Sequence, residues 1–182
     1  MKNIYLIGQT CSGKSTSAKK LSKKLGYDCI DQDDYVFSIY NKDGGDLNDI
    51  YANSIDFFNT LSKTVVVLGG RFGTRPNLKN CFENIIFLDA SNDLVTERVL
   101  EERNHRDKPE NKRRNIVMNS DNTQDIIDLC EERRPLYTSN SHLLFSYNSN
   151  EEQETIISEI YNSYSNKKQS SSKKLKKTSI KN

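Results

Sequence analysis

Residues 8–15 read GQTCSGKS and follow directly on the apolar run IYLI at residues 4–7. The stretch matches the pattern G-x-x-x-x-G-K-[ST], whose glycine-rich backbone curls its N–H groups around phosphate oxygens. Glycine and serine also form ordinary turns, but this stretch lies between a strand signal and a helix signal. Lys14 can reach the β- and γ-phosphates, and the hydroxyl of Ser15 can ligate Mg²⁺. The stretch therefore predicts a site for a nucleoside triphosphate.

The composition predicts one domain with a basic tail. The chain has 182 residues, of which 34% are hydrophobic and 29% are charged. Residues 165–182 contain seven lysines, no acidic residue and too little apolar surface to form a core. Without these seven positive charges, the net charge of +2 becomes −5. We expect a domain at residues 1–164 and a disordered tail at residues 165–182, and the basic charge does not indicate that the domain binds nucleic acid.

Cysteine spacing and the absence of long apolar runs indicate the compartment. The four cysteines are far apart and form no C-x-x-C pair, which argues against a structural zinc site and suits a reducing environment. No apolar run approaches the roughly 18 residues of a membrane span, and the N-terminus lacks the apolar segment of a signal peptide. We therefore expect a cytoplasmic monomer that does not associate with membranes.

Strand patterns alternate with helical patterns along the chain, which predicts an α/β fold with a parallel sheet. Residues 65–68 form an unbroken apolar strand, as expected where helices cover both faces of the sheet. The predicted strands are residues 4–7, 29–30, 65–68, 85–88 and 143–145. The predicted helices are residues 13–25, 50–61, 94–100, 125–133 and 149–164, with a further short helix that ends near residue 40.

Two carboxylates, Asp31 and Asp33, follow the second predicted strand, at the edge of the sheet where α/β proteins bind ligands. Asp33 can position a nucleophile, and phosphoryl transfer also needs positive charge around the γ-phosphate. The cations that could supply this charge are Lys14, Arg106, Lys108 and Arg133. Two simpler interpretations remain open. The carboxylates could cap the next helix, and the charged residues 103–114 could be only a solvated loop.

Further motifs occur in an order that resembles the shikimate kinase family, small P-loop kinases related to nucleoside monophosphate kinases. The motifs after the phosphate loop are LGY at 25–27, IDQD at 30–33, LGG at 68–70, RDKP at 106–109 and ERRPLY at 132–137. The last of these is the most specific. The resemblance covers residues 2–164 and implies a P-loop kinase fold, a five-stranded parallel sheet in the order 2-3-1-4-5 with helices on both faces.

The resemblance also implies roles for individual residues. Ser15 would bind Mg²⁺, Asp31 would support the metal directly or through water, and Asp33 would orient or deprotonate the acceptor hydroxyl. The residues that would contact ATP are Cys11, Ser12, Gly13, Lys14, Ser15 and Thr16, with Arg103 packing on adenine and Lys108 in a mobile lid at residues 103–114. The residues that would contact the acceptor are Asp33, Gly69, Gly70 and Arg133, the last of which would bind its carboxylate.

Three residues depart from the family pattern. Asn59 stands where an arginine on the helix before the third strand binds the acceptor carboxylate, and an amide cannot replace that bidentate group without loss. Arg71 replaces the third glycine of a G-G-G loop, and its side chain could point into the pocket and restore the charge. Lys108 replaces a lid arginine and keeps only its charge. If shikimate is the acceptor, an arginine introduced at Asn59 should tighten its binding, unless Arg71 already occupies the space.

The leading interpretation is an ATP- and Mg²⁺-dependent kinase whose acceptor is shikimate. The nearest alternative is a related kinase that acts on another hydroxy acid or on a nucleotide. An alternative of another class is a kinase-like protein that has lost catalysis and works by binding partners. The intact Lys14, Ser15, Asp31 and Asp33 argue against that last interpretation, although a fold by itself does not establish an activity.

Overall fold

The computed structural model describes residues 2–104 and 122–178, with side chains described at residues 2–102 and 122–166. Five parallel strands form one sheet in the order β2-β3-β1-β4-β5. The predicted fold and strand order are therefore confirmed. The strands are β1 (Ile4–Ile7), β2 (Asp28–Asp31), β3 (Thr64–Val67), β4 (Ile85–Ala90) and β5 (Leu143–Tyr147).

Helices connect the strands and cover both faces of the sheet. Within the described ranges they are α1 (Lys14–Leu25), α2 (Gln32–Asp43), α3 (Leu47–Thr60), α4 (Asn92–Asn104), α5 (Thr123–Asn140) and α6 (Asn150–Thr178). Two short 3₁₀ turns, Phe72–Thr74 and Leu78–Asn80, lie between β3 and β4. The helix α1 ends at Gly26, which adopts the left-handed conformation as predicted for a C-cap.

The helices α3, α5 and α6 are among those that extend beyond their predicted bounds. The helix α3 begins earlier because the Asp46 side chain accepts hydrogen bonds from the first-turn N–H groups of Asn48 and Asp49. The helix α5 continues past Pro135, which tertiary contacts on either side of the proline explain. Arg134 pairs with Asp89, and Tyr137 is fully buried.

The last helix also runs past its predicted end near residue 164. Its backbone remains helical to Thr178, and so includes part of the segment predicted to be disordered. Residues 165–178 contain no glycine or proline, and lysine has a favourable helix propensity, so nothing in the sequence stops the helix there. The division into a domain at 1–164 and a tail at 165–182 stays a prediction.

The alternation of side chains along β1 divides the core into two layers. Ile4 and Leu6 face one layer, in which α1, α4 and α6 pack against the sheet. Tyr5 and Ile7 face the other layer, which Phe58 of α3 and Tyr137 of α5 help to complete. Because β1 pairs with β3 on one side and β4 on the other, the phosphate loop emerges at the centre of the sheet edge.

At the amino-terminal ends of the strands, opposite the phosphate loop, Asn3 joins the start of β1 to the end of α3. Its Nδ2 donates to the carbonyls of Phe58 at 3.2 Å and Leu61 at 2.9 Å, and its Oδ1 accepts from the N–H of Thr64 at 3.1 Å. Asn3 is buried, so these backbone groups have little access to water as an alternative partner. The C-terminal end of α3 therefore lies at the edge opposite the phosphate loop.

The described part of the chain contains no helix that is both long enough and apolar enough to cross a membrane. This statement applies to residues 2–104 and 122–178.

We predict that Asn3→Ala lowers the free energy of unfolding by about 2–4 kcal/mol, because it leaves the buried N–H of Thr64 and the carbonyl of Leu61 unpaired. Urea denaturation measures the loss. The matched control is Asn53→Ala, an exposed position on α3, which should change the stability by less than about 0.5 kcal/mol. Equal stability of the two variants would contradict the role assigned to Asn3.

Candidate active site

The phosphate loop forms one wall of a cleft of about 520 Å³ at the carboxyl edge of the sheet. The ends of β2 and β3 form a second wall, and α4 and α6 form a third. The predicted site residues that line this cleft are Cys11, Gly13, Lys14, Ser15, Thr16, Asp31, Asp33, Gly69 and Gly70. The structure therefore brings together the nucleotide-side and acceptor-side residues predicted from separate parts of the sequence.

Three consecutive carbonyls of the loop accept hydrogen bonds from side chains outside it. Arg98 of α4 donates from Nη1 to the carbonyl of Cys11 at 3.2 Å. The hydroxyl of Tyr147, at the end of β5, donates to the carbonyl of Ser12. Gln153 of α6 donates from Nε2 to the carbonyl of Gly13 at 3.1 Å. We call these three side chains, Arg98, Tyr147 and Gln153, the carbonyl clamp.

The carbonyl clamp determines where the loop's N–H groups point. In a trans peptide, the C=O of one residue and the N–H of the next point in opposite directions. The N–H groups of Gly13 and Lys14 therefore point away from the preceding carbonyls, which bind Tyr147 and Gln153. The carbonyl of Gly13 also accepts from the N–H of Ser17 at 2.9 Å within α1. N–H groups arranged in this way at a helix N-terminus form an anion-binding site.

The clamp residues also bind one another. Arg98 donates from Nη2 to Oε1 of Gln153 and to Oδ1 of Asn150, each at 2.6 Å. Gln153 is buried and donates a further hydrogen bond to the hydroxyl of Ser17 at 2.7 Å. Gly13 leaves room for this contact, since an added Cβ would lie 2.3 Å from Nε2 of Gln153. No motif or spacing in the sequence indicates the roles of Arg98, Tyr147 and Gln153.

The side chain of Lys14 folds back onto the phosphate loop. Its Nζ donates to the carbonyls of Gly8 at 2.9 Å and Gln9 at 2.6 Å, and the side chain is largely buried. The ammonium group is therefore held at the cleft, close to the carboxyl end of β1. A positive charge at this place can interact with the phosphates of a nucleotide.

Asp31 makes two contacts that bear on the roles considered from the sequence. Its Oδ1 accepts from the N–H of Asp33 at 3.1 Å, which caps α2, and its Oδ2 accepts from the hydroxyl of Ser15 at 3.0 Å. Burial raises the pKa of Asp31, while the Ser15 hydrogen bond opposes that rise. The capping interpretation is thus confirmed for Asp31, and the contact with Ser15 exists beside it.

Asp33 lines the cleft and lies close to Gly69, which follows β3. An added Cβ on Gly69 would lie 2.5 Å from Oδ1 of Asp33, so the carboxylate packs against the backbone there. The hydroxyl of Tyr51 donates to the same oxygen at 2.6 Å. Tyr51 could not be identified from the sequence, because it belongs to no motif and nothing in the sequence indicates that α3 reaches Asp33.

Arg133 lies beside Tyr137, which contacts the backbone of Gly70. Tyr137, two turns of α5 from Cys130, donates from its hydroxyl to the carbonyl of Gly70 at 2.8 Å. Burial raises the pKa of Tyr137 to about 12, and the guanidinium of Arg133 beside it opposes the rise. Arg133 therefore lies beside the tyrosine that contacts Gly70, but it is not among the residues that line the cleft, and its contact with the acceptor stays a prediction.

Two predictions about charge on the acceptor side do not agree with the structure. The side chain of Arg71 is exposed and does not line the cleft. Asn59 is exposed near the end of α3, which Asn3 binds to the edge opposite the phosphate loop. The expectation that Asn59→Arg would tighten acceptor binding is therefore wrong, because an arginine there would lie at the other end of the sheet.

The predicted lid lies almost entirely outside the described residues. Arg103 belongs to α4, but its side chain is not among those described. Arg106 and Lys108 lie outside the described residues. The lid at residues 103–114 and the contact of Arg103 with adenine therefore stay predictions.

Comparisons with known proteins agree with the geometry of this site. The family model for shikimate kinase matches residues 10–165. The shikimate kinase of Rippkaea orientalis (strain PCC 8801 / RF-1) is 29% identical over 169 residues, which cover 87% of this chain and 85% of the relative. The shikimate kinase of Persephonella marina (strain DSM 14350 / EX-H1) is 31% identical over 152 residues, which cover 75% and 84%.

The solved structures show the same fold. The shikimate kinase from Acinetobacter baumannii, solved in complex with shikimate, superposes with a TM-score of 0.69 at 23% identity and covers 92% of this chain and 95% of that one. The family match over most of the chain, together with the relative at 31% identity, identifies the family. This chain belongs to the shikimate kinase family.

Proposed function

We propose that this chain is an ATP-dependent kinase that transfers the γ-phosphoryl group to a hydroxyl of shikimate. The observation that carries the proposal is one cleft that contains Lys14, the Ser15–Asp31 pair and Asp33. These residues supply the parts that phosphoryl transfer needs, namely positive charge at the phosphates, a place for a metal and a group that orients the nucleophile. Membership of the shikimate kinase family supports the choice of donor and acceptor.

The nucleotide side of the cleft fits a triphosphate. The N–H groups of Gly13 and Lys14 and the positive end of α1 would bind phosphate oxygens, and the ammonium of Lys14 would bind the β- and γ-phosphates. Arg98 lines the cleft beside the loop, and this position supports a contact between Arg98 and the nucleotide. The side chain of Arg103 is not among those described. Exposed Thr16 lies in the first turn of α1, where it would be within reach of the phosphates.

The donor set also fits Mg²⁺. No three His, Cys, Asp or Glu side chains converge among the described residues, so a metal here would need phosphate oxygens and water as further ligands. That is the usual arrangement for Mg²⁺, which takes one or two protein oxygens beside a nucleotide. Ser15 Oγ and Asp31 Oδ2 would hold the ion directly or through water. The bound ion would neutralise charge on the β- and γ-phosphates.

The acceptor side fits a small hydroxylated carboxylic acid. Asp33 would accept a hydrogen bond from the acceptor hydroxyl and orient it toward the γ-phosphate. The backbone of Gly69 and Gly70 would lie against the acceptor, and the guanidinium of Arg133 would bind its carboxylate. Water exclusion by the predicted lid would complete the site.

A kinase with a different acceptor is the second candidate function, and one observation favours it. Neither Arg71 nor position 59 supplies a cation to the cleft, and Arg133, the remaining predicted carboxylate partner within the described residues, is not among the residues that line it either. An acceptor with less negative charge than shikimate would need fewer cations. The partner-binding alternative is less well supported, because Lys14, Asp31 and Asp33 all line the cleft.

Release of ADP from Mg·ATP tests these candidates with a panel of acceptors: shikimate, another hydroxylated carboxylic acid and a nucleoside monophosphate. We expect ADP release that depends on shikimate. Release that depends on another member of the panel would assign the chain to the second candidate function. No release with any acceptor above the rate with ATP alone would favour the partner-binding alternative.

We predict that Lys14→Ala lowers kcat at least a hundredfold, because the ammonium stabilises charge that develops on the phosphates in the transition state. Groups of this kind contribute about 3 kcal/mol. Steady-state kinetics measures the loss, and circular dichroism checks the fold. Lys19→Ala, at an exposed position of the same helix, is the control and should keep wild-type turnover. If both variants turned over at the same rate, the loop would have no role in catalysis.

We predict that Tyr147→Phe weakens ATP binding roughly tenfold while the protein stays folded. The change removes only the hydroxyl that donates to the carbonyl of Ser12, and an unpaired carbonyl typically costs about 1–3 kcal/mol. Calorimetry gives the Kd for an ATP analogue. Tyr161→Phe is the matched control on α6, since its hydroxyl makes no hydrogen bond within the described residues. An unchanged Kd for Tyr147→Phe would contradict the clamp's part in nucleotide binding.

A further inference from the structure

The second turn of α3 makes a contact with the acceptor side that belongs to no motif. Tyr51 is half-buried, and its hydroxyl donates to Oδ1 of Asp33 at 2.6 Å. Its ring stacks on Phe72 in the 3₁₀ turn after β3, with 6.0 Å between the ring centroids. The ring contact fixes the direction of the side chain, so the hydroxyl is held at the carboxylate.

In this hydrogen bond Tyr51 is the donor and Asp33 is the acceptor. Burial raises the pKa of the Tyr51 phenol, and its hydrogen bond to Asp33 raises it further. The phenol therefore stays protonated at neutral pH and acts as a donor to the carboxylate. A hydrogen bond to a charged acceptor is stronger than one between neutral groups.

A second contact of α3 reaches the residue before Asp33. Ser54, one turn after Tyr51, accepts from Nε2 of Gln32 at 2.8 Å. Oε1 of Gln32 in turn accepts from the N–H of Gly69 at 3.0 Å. Gln32 and Ser54 are fully buried. One face of α3 thus fixes two consecutive residues of α2 and, through them, the backbone at the end of β3.

The two oxygens of Asp33 have different surroundings. Oδ1 accepts from Tyr51 and lies against the backbone of Gly69. No hydrogen bond to Oδ2 occurs within the described residues, and Asp33 lines the cleft. A carboxylate oxygen in this position can accept a hydrogen bond from a hydroxyl in the cleft.

We propose that Tyr51 is a positioning residue for phosphoryl transfer, which holds Oδ1 of Asp33 so that Oδ2 faces the acceptor hydroxyl. The inference rests on the proposed function, because it assigns Asp33 to the acceptor. Tyr51 itself does not line the cleft and acts through Asp33. Its effect is to restrict Asp33 to orientations from which the carboxylate directs the acceptor hydroxyl at the γ-phosphate.

The test is Tyr51→Phe in the full chain, which keeps the ring on Phe72 and removes the hydroxyl. We expect kcat with shikimate to fall roughly tenfold, with the KM for ATP and the melting temperature close to the wild-type values. Tyr40→Phe is the matched control, because Tyr40 is an exposed tyrosine on α2, and it should behave as the wild type. A loss confined to the KM for ATP, or no loss, would overturn the proposal.

A double-mutant cycle separates positioning from a general effect on structure. In an Asp33→Asn background, Tyr51→Phe should cost less than twofold, since the carboxylate that it positions is absent. A further tenfold loss in that background would show that Tyr51 acts independently of Asp33 and would overturn the inference.

Activity assays of the wild type test the proposed function separately. If it does not phosphorylate shikimate, the proposed acceptor is wrong, and the same ratios are measured with the acceptor that is active in the panel. If no acceptor is active, they are measured on ATP hydrolysis, in which water takes the place of the acceptor hydroxyl. An equal rate for Tyr51→Phe and the wild type in that assay would overturn the inference in its turn.

Discussion

The site depends on one constraint, which is that the phosphate loop must direct its N–H groups into the cleft while its carbonyls find partners elsewhere. Ser12 is buried, so its carbonyl without a partner would destabilise the folded state, whereas the carbonyl of Gly13 accepts from the N–H of Ser17 within α1 as well as from Gln153. The clamp residues Arg98, Tyr147 and Gln153 solve this problem from α4, β5 and α6. Elements far apart in the sequence therefore fix the loop, and the packing of α4 and α6 on the sheet contributes to the geometry of the phosphate site.

The acceptor side is fixed by the two ends of α3. Asn3 binds its C-terminal end to one edge of the sheet, and Tyr51 and Ser54 bind its second turn to α2 near the other edge. A rigid helix held at both ends sets the distance between these contacts, so Asp33 has a defined position relative to Gly69. The same geometry explains why position 59 cannot contribute to the cleft.

The sequence predicts the parts of this site whose chemistry depends on local spacing. Motifs, and their resemblance to one family, predict the loop at residues 8–15, the carboxylates Asp31 and Asp33 and the strand order. The clamp could not be predicted, because Arg98, Tyr147 and Gln153 are brought together by helix packing and not by spacing. The interpretation of Asn59 was wrong for a related reason. A position in a motif does not fix how far along α3 the residue lies, and the anchoring by Asn3 places it at the opposite edge.

The central claim is that the clamp holds the loop in its phosphate-binding conformation before the nucleotide arrives. Crystal structures of the full chain, with and without Mg²⁺ and a non-hydrolysable ATP analogue, test it most directly. We expect the loop backbone to move by less than about 1 Å between the two structures, as in preorganised sites. We also expect the carbonyls of Cys11, Ser12 and Gly13 to keep their clamp partners while the phosphates bind the N–H groups of Gly13 and Lys14. A loop that exchanges these carbonyl partners when the nucleotide binds, or a nucleotide bound away from the loop, would contradict the claim.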